Sequence, residues 1–208
     1  MSEKRYGMLI DLAACIGCNA CAVACKQENG VELGCFNVWV ESWDVEEGGS
    51  YRRVNVPKQC NHCADAPCVA ACTFGATYQN EDGVVLIDAE KCTGCGACVA
   101  ACPFGARYQI ESGEAQKCTF CYHRVQHGMM PACAASCVTK ARYFGDMNDP
   151  ESDISKKLAE VESETLYPEL GLDLAVRYVG LSETLALPRA SAIHKGGNVL
   201  EPYTKSQE

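Results

Sequence analysis

Sixteen of the seventeen cysteines in this 208-residue chain fall into four groups of four, and their spacing constrains the fold more than any other feature. Cys15, Cys18, Cys21 and Cys25 read C-x2-C-x2-C-x3-C, and Cys92, Cys95, Cys98 and Cys102 repeat that spacing just before Pro103. Cys60, Cys63, Cys68 and Cys72 read C-x2-C-x4-C-x3-C. Cys118, Cys121, Cys133 and Cys137 read C-x2-C-x11-C-x3-C. Cys35 is left over, between Gly34 and Phe36, and reads as a spare, partly buried thiol.

Cysteines this numerous belong either to a disulfide framework or to metal centres. The start, MSEKRYGMLIDLAAC, has neither the apolar core of a secretory signal nor paired arginines. Without an export signal the metal reading is favoured. No run of 18 apolar residues is present, so no spanning helix is expected. The net charge of −9 argues against nucleic-acid binding.

The run C-x2-C-x2-C-x3-C-P is the one with which bacterial ferredoxins hold 4Fe–4S clusters. Thiolate suits the soft, tetrahedral iron. Small residues in the gaps (Gly17, Gly94, Gly96, Ala97) let backbone N–H groups approach the sulfurs. The three-residue gap sets the fourth cysteine one helical turn beyond the third, and in two-cluster ferredoxins that cysteine ligates the other cluster. All four such gaps hold only Ala, Val or Ser: Ala22–Ala24, Val69–Ala71, Val99–Ala101 and Ala134–Ser136. Zinc could use Cys60 and Cys63 with Cys118 and Cys121 as a ribbon, but the third and fourth cysteine of every group would then have no purpose. His62, His123, His127 and His194 lack the pairing that a Rieske centre needs, and His62 reads as a hydrogen-bonding residue inside a cluster loop.

The chain also repeats itself. VAACTFGATYQ at Val69–Gln79 returns as VAACPFGARYQ at Val99–Gln109, with nine of eleven positions identical. Leu9-Ile10-Asp11 stands before Cys15 as Leu86-Ile87-Asp88 stands before Cys92. The repeated unit reads as strand, cysteine loop, short helix and turn. One unit cannot enclose a cluster, whereas two placed face to face can enclose two. Phe36–Val56, broken by Glu47-Gly48-Gly49, reads as a hairpin. FGDMNDP reads as a turn, Asp149-Pro150 as a helix start, and Ile154–Val161 as a helical pattern. Residues 181–208 read as an extended arm.

The order of the four motifs resembles the iron–sulfur electron-transfer subunits of the dimethyl sulfoxide reductase superfamily of molybdenum and tungsten enzymes. The resemblance rests on RYGMLID, CIGCNACAVACKQEN, CNHCADAPCVAAC, CTGCGACVAACPFGARY, KCTFCYHR, PACAASCVTKA, FGDMNDPESDISK and PELG followed by RYVG. It covers roughly residues 5–180. It implies that Cys15, Cys18, Cys21 and Cys137 hold one 4Fe–4S cluster and that Cys25, Cys118, Cys121 and Cys133 hold a second. Cys60, Cys63, Cys68 and Cys102 hold a third, and Cys72, Cys92, Cys95 and Cys98 a fourth.

The expected fold is α+β, with two ferredoxin-like modules related by the internal repeat and one inserted in the other. The inner module takes residues 57–103, the outer one 1–56 and 104–145, and 146–208 form a C-terminal helix and arm. Clusters with four cysteine ligands leave no iron open to substrate, and no G-x-x-x-x-G-K or G-x-G-x-x-G loop is present. The chain is therefore expected to move electrons without catalysing a reaction. Lys26, Lys117, Lys140, Arg107, Arg124 and Arg142 lie near the cysteines in sequence and are candidates to offset the charge of roughly −2 per oxidised cluster.

The resemblance implies a large catalytic partner carrying a Mo or W bis(pyranopterin guanine dinucleotide), with a quinone-reactive membrane anchor or a soluble electron donor beyond it. A free polyferredoxin shuttling between soluble enzymes is the alternative. Location follows the partner: cytoplasm, or export with a twin-arginine subunit.

Overall fold

The computed structural model describes residues 4–187 and 189–194. The first strand, β1 (Tyr6–Asp11), buries Met8, Leu9 and Ile10 completely. A strand with buried residues in succession is covered on both faces. It leads into the first cysteine loop and helix α1 (Ala20–Asn29), which carries Cys21 and Cys25. Strands β2 (Val38–Glu47) and β3 (Ser50–Gln59) form the expected hairpin, paired in register from Val38↔Gln59 to Glu47↔Ser50. Gly48 and Gly49 both have positive φ, +61° and +81°, which a two-residue turn of the hairpin-favouring kind requires. Pro57 is tolerated because β3 is an edge strand of its sheet.

The next segment holds α2 (Pro67–Ala70), β4 (Thr77–Gln79), β5 (Val85–Ile87), α3 (Ala97–Ala100), β6 (Tyr108–Gln109) and β7 (Ala115–Gln116). The repeated phrase folds the same way twice. β4 pairs with β5 and β6 with β7, both antiparallel. Gln79 Nε2 donates to the Gly83 carbonyl at 3.0 Å, and Gln109 Nε2 donates to the Gly113 carbonyl at 3.1 Å. The Gly83 and Gly113 amides close equivalent turns on the carbonyls of Asn80 and Ile110.

The chain continues through α4 (Tyr122–Val125), α5 (Ala132–Ala135) and β8 (Arg142–Asp146), then α6 (Asp153–Glu160), β9 (Val176–Val179), α7 (Leu181–Ala186) and β10 (Arg189–His194). β1 lies between β8, antiparallel, and β9, parallel. The core joins this sheet to the hairpin: Tyr178 is fully buried and donates from its hydroxyl to the Pro57 carbonyl at 2.9 Å.

Two details differ from the sequence expectation. The helix expected from Asp149-Pro150 begins at Asp153, because Ser152 supplies the cap and accepts from the Ser155 amide at 3.2 Å, while Asp149 closes the preceding turn. Residues 181–194 do not form an arm throughout. Leu181 is buried at the start of α7, and β10 adds antiparallel to the open edge of β2. The remainder of the expected arm, 195–208, lies outside the described residues.

Candidate metal centres

All seventeen cysteines are free thiols. Helices of four residues are too short to be stable alone. Here α2, α3 and α5 serve to aim Cys68, Cys98 and Cys133, each followed one turn later by the fourth cysteine of its group. In each, the first two small residues of the three-residue gap lie in the helix and the third is its C-cap.

Two groups of thiols line well-formed cavities. Cys15, Cys18, Cys21 and Cys137 share one, together with Arg142. Cys72, Cys92, Cys95 and Cys98 share another. In each, three thiols come from one loop and the fourth from a different motif. Gly94 stays glycine for a close approach: its φ is +69°, and a Cβ there would stand 2.6 Å from the Gly113 carbonyl oxygen.

The other two groups are more deeply placed. The Cys63 thiol is pushed up to about 12 by burial and then by its neighbours Cys60, Cys68 and Cys102. The Cys25 thiol is pushed up to about 12 by burial, then by Cys133 and Cys121. Cys118, fully enclosed, is raised well above its ordinary value by burial and by Cys25, Cys133 and Cys60. Asn29 Nδ2 bridges the first and fourth motifs, donating to Cys25 Sγ at 3.5 Å and to Cys121 Sγ at 3.6 Å.

Backbone amides point at the sulfurs, but the four donors lie outside the small gap residues Gly17, Gly94, Gly96 and Ala97. Thr77 N–H donates to Cys72 Sγ at 3.3 Å, Ala115 N–H to Cys92 Sγ at 3.5 Å, Phe120 N–H to Cys118 Sγ at 3.4 Å and Ala141 N–H to Cys137 Sγ at 3.3 Å. Such bonds favour negative charge on the sulfur side of a centre.

Of the six basic residues singled out by sequence, three are buried among the thiols and three are not. Arg107, Lys117 and Arg142 are 2–5% exposed. Burial works against the Arg142 charge, but Cys133 and Cys21 outweigh it and raise its pKa. Arg107 is likewise opposed by burial and raised by Cys68, Cys60 and Cys98. Lys117 is lowered by burial; its ammonium donates to the carbonyls of Val85 and Cys118. Lys26, by contrast, stands 4.4 Å over the Phe36 ring and donates to the Glu32 and Cys35 carbonyls. Arg124 pairs with Glu28 at 2.6 Å, and Lys140 is exposed. Closeness in sequence does not decide which side of a loop a long side chain takes.

His62 is buried and stacks on Phe120 with centroids 3.8 Å apart, accepting at Nδ1 from the Val85 amide at 3.1 Å. Burial, then Lys117 and Arg107, hold its pKa well below the ordinary histidine value. His123 pairs with Glu28. Sequence reasoning did not find the roles of Asn29 and Thr77, because amides and hydroxyls beside sulfur carry no spacing signature.

These sites suit 4Fe–4S clusters better than single ions. Among the described residues no three Cys, His, Asp or Glu side chains converge as a single metal ion requires. Arg107 Nε and Nη2 and Arg142 Nη2 are buried without an acceptor among the described residues. Unsatisfied buried guanidinium donors beside thiol-lined cavities fit a group that brings its own negative charge.

Comparison with known proteins agrees. Residues 52–147 match the 4Fe-4S dicluster domain family, and residues 12–30 match the 4Fe-4S binding domain family. The chain is 45% identical to the B subunit of tetrathionate reductase from Salmonella typhimurium, over 89% of this chain and 76% of that protein. It is 40% identical to the iron-sulfur subunit of a putative dimethyl sulfoxide reductase from Halobacterium salinarum, over 84% of this chain and 79% of the relative. It is 41% identical to the B chain of polysulfide reductase from Wolinella succinogenes, over 81% of this chain and 90% of the relative. Similar to such relatives along most of its length, the chain belongs to the family of 4Fe–4S electron-transfer subunits of dimethyl sulfoxide reductase-type oxidoreductases.

Proposed function

We propose that this chain holds four 4Fe–4S clusters in the exchanged arrangement and passes electrons to or from a molybdenum or tungsten catalytic subunit, without catalysing a reaction itself. The ligand sets are Cys15/Cys18/Cys21/Cys137, Cys25/Cys118/Cys121/Cys133, Cys60/Cys63/Cys68/Cys102 and Cys72/Cys92/Cys95/Cys98. The α+β fold is then two ferredoxin-like modules, residues 57–103 nested within 1–56 and 104–145, with 146–208 as the extension.

The observation that carries this reading is that two of the thiol groups line cavities shared between two motifs. Cys137 stands in the cavity of Cys15–Cys21, and Cys72 in that of Cys92–Cys98. Such clusters supply one-electron storage with no bond made to substrate. Electrostatic neighbours link the sets in sequence and support an order. Arg142 acts on Cys21 of the first set and Cys133 of the second, Cys60 of the third acts on Cys118 of the second, and Arg107 acts on Cys68 and Cys60 of the third and Cys98 of the fourth. Cys18 and Cys95, the second cysteines of equivalent motifs, are the two exposed ones, and they lie in the outer cavities. Electrons would enter and leave there. Ile16, Val23 and Val138, 63–69% exposed, flank the first set in sequence and support a protein partner at that end.

Elemental analysis of the anaerobically purified chain tests the count: about sixteen irons and as much sulfide are expected. Far fewer irons, or zinc, would overturn it. Recovery of the tagged chain from its native host tests the partner. Co-elution with a larger chain and stoichiometric Mo or W is expected, and elution alone near its own 22.4 kDa would contradict it.

A further inference from the structure

Arg107 follows Cys102 by five residues, and Arg142 follows Cys137 by five residues. Each is the arginine just past the last cysteine of its module's second motif. At the matching place of each module's first motif stand Thr77, five after Cys72, and Gly30, five after Cys25. Each module thus has one guanidinium at this position rather than two. Both side chains are buried, 2% exposed for Arg107 and 5% for Arg142.

Both stand among thiols of two sets, by different contacts. Arg142 lines the cavity of Cys15, Cys18, Cys21 and Cys137, while its Nη1 reaches Cys133 Sγ of the second set at 3.9 Å. Arg107 acts electrostatically on Cys68 and Cys60 of the third set and on Cys98 of the fourth. Its Nη1 donates to Thr77 Oγ1 at 3.1 Å, and the Thr77 amide donates to Cys72 Sγ of the fourth set. Among the described residues no carboxylate pairs with either one: the protein partners are Thr77 and Cys98 for Arg107, and Gln59 and Met8 besides Cys133 for Arg142. Three of their N–H-bearing nitrogens are buried with no acceptor among the described residues.

We infer that Arg107 and Arg142 are equivalent shared counter-cations, each placed between the two clusters of one module and raising the reduction potentials of both together. This rests on the ligand sets proposed above. Guanidinium is charged at every accessible pH, so the effect does not switch. A positive charge in a low-dielectric interior favours the more negative, reduced form of each neighbour. An electron hop within the module makes and breaks no bond and moves no proton. The summed charge of the pair is the same before and after, so a cation between them steadies the electron on the pair without trapping it on one member. These are positioning residues acting through charge, and they touch no substrate.

The test is potentiometric titration of the full chain, followed by electron paramagnetic resonance, for Arg107→Gln and Arg142→Gln. Iron and sulfide contents equal to those of the parent are checked first. Each variant should lower two potentials of the four, by about tenfold in the one-electron reduction equilibrium, or 59 mV. The two potentials lowered by Arg107→Gln should be the two that Arg142→Gln leaves alone, so no prior assignment of signals is needed. Equal shifts of all four, a shift of one alone, or no shift at intact iron content would overturn the inference. A parent chain lacking about sixteen irons would instead overturn the ligand sets. If a Gln variant loses iron, Arg107→Lys and Arg142→Lys decide. With a cation retained, the module's two potentials should move together and by less than threefold, and one potential moving alone would refute a shared cation.

Discussion

Arg107 donates from Nη1 to Thr77 Oγ1 at 3.1 Å, and these two residues hold the same place in the two copies of the repeated phrase. The copies differ at two of their eleven positions, Thr73 against Pro103 and Thr77 against Arg107. The second difference is where the copies meet. Two arginines at that point would place like charges together in the interior; one arginine and one threonine make a hydrogen bond.

Thr77→Val tests this junction. The variant removes the acceptor of Arg107 and leaves a third guanidinium nitrogen unsatisfied, which costs about 1–3 kcal/mol. The Thr77 amide bond to Cys72 Sγ is kept, so the iron content should equal that of the parent. Anaerobic chemical denaturation measures the first and iron analysis the second.

The proposed exchange of ligands makes Cys102→Ser informative. Its effect should fall on the cluster held with Cys60, Cys63 and Cys68 and leave the signal of the cluster held by Cys92, Cys95 and Cys98 in place. Cys72→Ser should do the reverse. Electron paramagnetic resonance of both variants, read against each other, shows two different signals lost. Damage by Cys102→Ser confined to the Cys92–Cys98 signal would contradict the exchange.

Gly94 and Gly105 separate two costs of adding a methyl group. Both have positive φ, +69° and +60°. Beside Gly105 there is open space, whereas a Cβ on Gly94 would press on the Gly113 carbonyl at 2.6 Å. Gly105→Ala should cost about 1–2 kcal/mol and keep all its iron. Gly94→Ala must move the loop that carries Cys92 and Cys95, and should lose about one cluster's share of iron, four of sixteen. Iron-to-protein ratios of the two variants check this.

Iron uptake should release protons. The thiols of Cys25 and Cys63 are pushed up to about 12, and that of Cys133 to about 11, chiefly by burial. They are protonated at pH 7 when no iron is bound, and iron binds thiolate. Reconstitution in weak buffer should therefore acidify the solution, with about one proton from each of these three thiols. Uptake should strengthen as pH rises from 7 toward these values. A pH-independent uptake would show the thiols already ionised.

The cysteine spacing alone carried the number of thiol groups, the thiolate chemistry and the duplication, because ligand geometry around a cluster is short-range and leaves a periodic trace. The strand before each cluster loop and the Phe36–Val56 hairpin were legible from runs of apolar residues and the Gly-Gly turn. The cations were not. Six basic residues stand near ligands in sequence, and three of them, Arg107, Lys117 and Arg142, are buried among the sulfurs, whereas Lys26 rests on Phe36 and Arg124 pairs with Glu28. A long flexible side chain can turn to either side of its loop, so only the packing of distant segments decides where its charge goes. The same holds for α7 and for β10 on the edge of β2: pairing between residues as far apart in sequence as Arg189 and Val45 is set by tertiary contact and leaves no local pattern to read.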